Sequence, residues 1–190
     1  MKPFTCTKHF NLPTTYPLQF VVLDFEMTGL SPLSDEIIQI GAILYEAGKP
    51  VKMFKQNVNP LREIPSNITE LTGISNDDVF NAPTISDVLP SLIQFIDHYP
   101  IVAHNAAFDI NVLNRNLMQY DYPPVKNMII DTLKMAKSYA PFTVDNYKLE
   151  TLKRAMDITI DSHTAINDCL VTGELYLECR TIVELLSKNV

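Results

Sequence analysis

The chain is expected to fold as a mixed α/β domain. Three antiparallel strands in a meander are joined by two parallel strands in a five-stranded sheet flanked by helices. Two observations lead there. Three apolar strand-like runs near the start are joined by links too short for a crossover, which favours antiparallel pairing. From Ile101 onward short apolar runs alternate with helical patterns, which favours parallel strands with helices on the sheet faces.

Residues 1–17, with Pro3, Pro13 and Pro17, lack periodicity and read as an N-terminal extension, with the folded domain spanning 18–190. Residues 18–25 form the first strand, because Phe20-Val21-Val22-Leu23 is a buried apolar run. Ile37–Glu46 is the second and 51–58 a weaker third. Ser66-Asn67-Ile68-Thr69-Glu70 offers a capping-box start to a short helix that Gly73 ends. Residues 84–98 form an amphipathic helix with Ile85, Val88, Leu89, Leu92, Ile93 and Ile96 on its apolar side. Ile101–Ala103 and 128–130 are strands, and 108–118, 131–139, 149–156 and 164–187 are helices.

Composition narrows the class. At 190 residues with 46% hydrophobic and 19% charged side chains, the chain can bury a full core as one soluble domain. No apolar run approaches the roughly 20 residues of a membrane span, and the N-terminus lacks a secretory h-region. A cytoplasmic protein without membrane attachment is expected. Cys169 and Cys179 lie about 15 Å apart on one helix and Cys6 is in the extension, so no disulfide is expected. A net charge of −7 argues against tight non-specific duplex binding. Residues 111–160 nevertheless carry seven basic against five acidic side chains. Such a segment suits a short polyanionic end, or equally an ordinary solvated surface.

The informative feature is carboxylates where the apolar pattern calls for core. Asp24 ends the first strand's buried run, with Glu26 two residues on and so on the same face. Asp109 shares a helical stripe with Val112, Leu113 and Leu117; Asp168 shares one with Val171, Leu175, Ile182 and Leu186. Buried carboxylates are costly unless paired, and no matching run of Arg or Lys accompanies them. All four can meet at one sheet edge, so a divalent cation is the expected partner. Hard oxygen donors suit Mg²⁺ or Mn²⁺; no Cys/His cluster with zinc spacing is present. His163 is five residues before Asp168, about 140° around a helix, so it belongs in or before the helix N-terminus. There it could deprotonate a water; read alone, it is an exposed loop histidine.

Asp24-Phe25-Glu26-Met27-Thr28-Gly29-Leu30, His104-Asn105-Ala106-Ala107-Phe108-Asp109 and the stretch from His163 to Asp168 resemble the three motifs of the DnaQ-like DEDDh family. These are 3′–5′ exonucleases of the RNase H-like fold, of the kind found as polymerase proofreading subunits. Leu71-Thr72-Gly73-Ile74, Asp131-Thr132-Leu133 and Lys148-Leu149-Glu150-Thr151-Leu152 match as well, and the resemblance runs from about residue 18 to 180. Thr164 stands where the tyrosine branch would have Tyr, and His163 takes the histidine-branch place. Two departures are visible. Met27 replaces the commoner Thr, as in oligoribonucleases, and Cys169 stands where Ala is usual.

The resemblance implies two Mg²⁺ or Mn²⁺ ions, about 3.5–4 Å apart as in other two-metal sites. Asp24 would bridge them, Glu26 and Asp168 would complete one, and Asp109 would hold the other. It implies His163 as general base. It assigns Met27, Thr28, Gly29 and Leu30 to the terminal nucleotide, with Asn105 and Phe108 completing the substrate-binding set. The expected substrate is a single-stranded 3′ end, DNA first and short RNA second, with a DNA polymerase as a partner. Two rivals stay open: a non-catalytic nucleic-acid or polymerase-binding module, and a phosphohydrolase of small nucleotides.

Overall fold

The structure, a computed structural model, describes residues 6–7, 10–13, 15–161 and 164–188. β1 (Phe20–Met27) lies at the centre of the sheet, buried on both faces, and for that reason is almost continuously apolar. It pairs antiparallel with β2 (Ile37–Glu46) and parallel with β4 (Ile101–Ala103). β3 (Lys49–Asn57) and β5 (Ile129–Asp131) are the edges, giving the order β3-β2-β1-β4-β5. The expected five-stranded mixed sheet is therefore the one observed. The β2–β3 turn is only Ala47-Gly48, with φ of 50° and 73°. This two-residue hairpin turn matches the twist of the strands, and it extends the third strand back through Lys49 and Pro50, beyond the expected start at 51.

Alternation along β1 divides the core in two. Val21, Leu23, Phe25 and Met27 face α3 (Ile85–Ile96) and α4 (Ala107–Gln119). Phe20 and Val22 face α5 (Thr132–Tyr139), α6 (Leu149–Ala155) and α7 (Ala165–Ser187). The stripe expected on the last helix holds at Val171 and Leu175 but fails at Leu186, which is 55% exposed because the final turns run past the sheet.

Two short helices precede α3. In α1 (Ser66–Thr72) the expected capping box does not form: Pro65 takes the N-cap position and Ser66 is already helical. Gly73 does end it, at φ 71°. The capping boxes stand elsewhere, at Ser75/Asp78 on α2 (Asn76–Phe80) and Thr84/Asp87 on α3. α2 is absent from the sequence expectations, since five residues are too few for a helical period to register.

The described part of residues 1–17 packs as a strap. Buried Asn111 clamps the Thr7 backbone, accepting its N–H at 2.7 Å and donating to its carbonyl at 2.6 Å. Lys134 donates to the Phe10 carbonyl, Arg180 to that of Tyr16 and Tyr176 to that of Pro17. All three cysteines are free. Among the described residues no helix is long and apolar enough to cross a membrane.

Candidate active site

Asp24 and Glu26 continue the face of β1 that carries Phe20 and Val22, at the point where the strand emerges from beneath α7. Both are half-buried, and one oxygen of each lies within 4.8 Å of the other and of a carboxylate oxygen of Asp168. Asp168 stands in the first turn of α7, where the positive end of the helix dipole favours a carboxylate.

The neighbouring strand sets the seat of α7. Gly41 lies opposite Asp24 and Gln39 opposite Glu26. A Cβ on Gly41 would stand 2.4 Å from the carbonyl carbon and oxygen of Ala165, so only glycine lets the helix settle there. Buried Gln39 uses both ends of its amide. Its Oε1 accepts the Ala165 N–H at 3.1 Å, and its Nε2 donates to Asn57 at 2.8 Å. Thr164 caps the helix by accepting the Asn167 N–H. Cys169 packs against the same seat, its thiol donating to the Gly41 carbonyl at 3.3 Å.

Asp109 arrives from the other side, in the first turn of α4, and is buried. It lies outside the closest trio yet near enough to act on Asp24. The turn that delivers it bends through Asn105, at the left-handed φ of 60° that Asn tolerates. Asp131, itself buried, holds that turn and the start of α5 by accepting the N–H groups of Asn105 and Leu133, each at 3.1 Å.

Burial and mutual repulsion govern the charges. Asp24 is pushed well above the ordinary carboxylate range, by burial first and then by Asp109, Asp168 and Glu26. Glu26 rises to about 7 through burial and Asp168. Asp109 rises to about 8, burial outweighing the stabilising hydrogen bonds from its own backbone and that of Phe25. Among the described residues no ammonium or guanidinium pairs with Asp24, Glu26 or Asp109. Crowded oxygens that resist ionisation, with no cation of the protein's own, fit a divalent cation with hard-donor preference.

Beside the trio is a small cleft of about 90 Å³, lined by Glu26, Met27, Gly29, Leu30 and Phe108 together with Leu71 and Thr72. Four of the expected substrate-binding residues thus meet. Leu30 is 87% exposed, an open apolar surface, whereas Met27 is buried at the floor. Thr28 is turned inward instead. Its N–H donates to the Glu36 carbonyl and its hydroxyl accepts the Glu36 N–H, closing the loop after β1. Asn105 is exposed on a different groove. His163 lies outside the described residues. His104 has both ring nitrogens engaged, Nε2 with the Tyr147 carbonyl at 2.9 Å and Nδ1 with the Thr132 hydroxyl at 3.0 Å. Burial lowers its pKa, so it is a neutral structural residue. His98 is exposed beside Asp97.

The family model described as "Exonuclease" matches residues 21–176. This chain belongs to the exonuclease family. Its DnaQ-like, RNase H-like character agrees with the three motifs and the sheet order. A DNA polymerase III PolC-type of Oceanobacillus iheyensis is 36% identical over 176 residues, covering 92% of this chain but 12% of that protein. One of Caldanaerobacter subterraneus subsp. tengcongensis is 38% identical over 161 residues, covering 84% of this chain and 11% of that protein. The chain therefore spans about an eighth of the length of these relatives or less. Among solved structures, Exonuclease X in complex with 5′ overhanging duplex DNA superposes with a TM-score of 0.68 at 25% identity, covering 85% of this chain and 91% of that one. Escherichia coli Exonuclease I in complex with a dT13 oligonucleotide gives 0.77 at 18% identity, covering 91% and 43%, a likeness of fold.

Residues outside the three motifs also build the site. Gln39 and Gly41 seat Asp168. Arg115 holds the loop after β1, donating to the Asp35 carbonyl at 2.6 Å and pairing with Glu36 at 3.1 Å. Much of the basic segment is spent in the same way: Lys134 on Phe10, Lys153 and Arg154 on Glu150.

Proposed function

We propose that this chain is a metal-dependent 3′–5′ exonuclease that removes nucleoside 5′-monophosphates from single-stranded DNA ends, acting in the cytoplasm alongside a DNA polymerase. The observation that carries the reading is the convergence of Asp24, Glu26 and Asp168 within 4.8 Å, with Asp109 coupled to them, in a chain of the exonuclease family. The names of the PolC-type relatives and the DNA complexes of Exonuclease X and Exonuclease I favour DNA as substrate.

In this reading Asp24, Glu26, Asp168 and Asp109 would hold two Mg²⁺ or Mn²⁺ ions. Such ions supply charge neutralisation of the phosphodiester and a water that deprotonates near neutral pH. The chain's own contributions are positional. The cleft between Met27, Leu30 and Phe108 receives the terminal base by apolar contact, and Gly29 at its edge leaves room for the Asp35 carboxylate, which a Cβ would meet at 2.4 Å. His163 accepts the proton of the attacking water, and the rigid seat of α7 holds Asp168 opposite Asp24. Short RNA is the second reading, favoured by Met27 in the first motif.

The test is a degradation ladder on 5′-labelled DNA and RNA oligomers of matched sequence, with Mg²⁺ and with Mn²⁺. Shortening of the DNA by single nucleotides with retention of the 5′ label is expected. Absence of mononucleotide release from either polymer would return the chain to a binding module.

A further inference from the structure

A second groove, of about 500 Å³, opens at the same sheet edge. β1, β4 and β5 run parallel there, and Val22 pairs with Val102. Continuing that register puts Asp24 level with His104, one strand away, about 5 Å. The side chain of His104 leaves the face that carries Asp24 and Glu26, towards Tyr147. The groove thus begins beside the carboxylates, on the side away from the Met27–Leu30 cleft.

Its walls are cationic. Lys137 comes from the last turn of α5 and Lys148 from the start of α6, both exposed, with Leu133 and Tyr147 between them and Asn105 at the rim. Among the described residues no acidic side chain lines it. Arg115, Lys134, Lys153 and Arg154 are tied to carboxylates or carbonyls, whereas Lys137 and Lys148 make no ion pair among the described residues. In a chain of net charge −7, two unspent ammonium groups facing one groove beside an acidic centre mark a place for polyanion.

We infer that this groove binds internal phosphodiesters of the strand being degraded, 5′ to the bond cut, with Lys137 and Lys148 as the phosphate contacts and Asn105 as a neutral donor. The inference rests on the exonuclease reading above and extends it from the terminal nucleotide to the strand behind it. Contacts to phosphate are indifferent to base sequence, as a processing enzyme requires. The path runs from the Met27–Leu30 cleft, across the carboxylates, into the lysine groove. A dinucleotide would leave the groove empty, and a longer strand would fill it.

The Lys137→Ala/Lys148→Ala double variant tests this, with Lys126→Ala, whose side chain lines a separate apolar groove, as the charge control. For a ten-nucleotide single strand we expect KM to rise roughly tenfold, the scale of losing two solvent-exposed ion pairs. The rise should be smaller for a dinucleotide. The slope of log affinity against log salt should fall by about 0.7 per lysine. Affinity is read separately by fluorescence anisotropy of a labelled strand on proteins that also carry Asp24→Asn, so that the strand survives. If the double variant binds and degrades the long strand as the parent does, or if Lys126→Ala weakens it as much, the groove is not a subsite. If the parent releases no mononucleotide, the exonuclease reading fails, and the anisotropy measurement still decides the groove.

Discussion

A methyl group on Gly41 would lie 2.4 Å from the backbone of Ala165. That contact couples the middle of the sheet to the helix that brings Asp168 to Asp24. Gly41→Ala should push α7 off its seat, costing about 1–3 kcal/mol as overpacking does. Turnover should fall further than the loss of stability explains, because Asp168 moves with the helix. Thermal melting and single-turnover hydrolysis, measured on the same preparation, check this; full activity in a stable variant would show that the seat tolerates a methyl.

Neutralising one carboxylate should separate function from folding. Asp24→Asn, Asp109→Asn and Asp168→Asn are each expected to abolish hydrolysis while leaving the metal-free protein as stable as the parent or more so. The cause is relief of the burial cost, and then of the repulsion, that raise Asp24 and its neighbours. Melting without metal and turnover with Mn²⁺ are the readouts. Marked destabilisation would assign these residues a structural role.

Burial, with repulsion added to it, fixes a pH dependence for the metal-free protein. Glu26 goes from an ordinary 4.5 to about 7 on folding, and Asp109 from 3.8 to about 8. The folded state therefore holds protons that the unfolded chain has released, and stability falls as pH rises between those limits. Melting temperature should drop from about pH 5 to about pH 8 without metal. Mn²⁺ should oppose the drop at the upper end by binding only the native state. Asp109→Asn should flatten the metal-free profile. A melting temperature that climbs across this window in chelator would contradict the burial argument.

His163→Ala should slow hydrolysis by roughly a hundredfold or more, the scale of acid–base catalysis. The low-pH limb of the rate profile should disappear with it, while the Mn²⁺-induced melting shift persists. His104→Gln offers the contrast. It removes a ring bonded to Tyr147 and Thr132, so stability should fall while the pH limb remains. Retention of both rate and pH profile in His163→Ala would place the base elsewhere.

The parts of the site that sequence made legible are those where chemistry conflicts with pattern. Asp24 and Glu26 interrupt an apolar strand, and Asp109 interrupts an apolar stripe; each conflict survives in the structure as a raised carboxylate. Gly41 and Gln39 were illegible for the opposite reason. A glycine and one amide inside Ile37–Glu46 look like minor blemishes of a strand, and their purpose appears only once α7 lies across them. The Ser66 capping signal misled because Pro65, at φ −60°, already occupies the cap position. The clamp on Thr7 was also invisible, since a buried Asn111 partnered 104 residues away leaves no local trace.

The seat of α7 also has a consequence in time. Residues 24 and 26 and residue 168 are separated by most of the chain, and the helix is seated on Gly41 of a strand that pairs with β1. Contacts of such long sequence separation form late, after local helices and hairpins. During synthesis the strands emerge well before the helix that supplies Asp168. A chain that stops short of α7 thus holds Asp24 and Glu26 on β1 without Asp168 to complete the carboxylate trio.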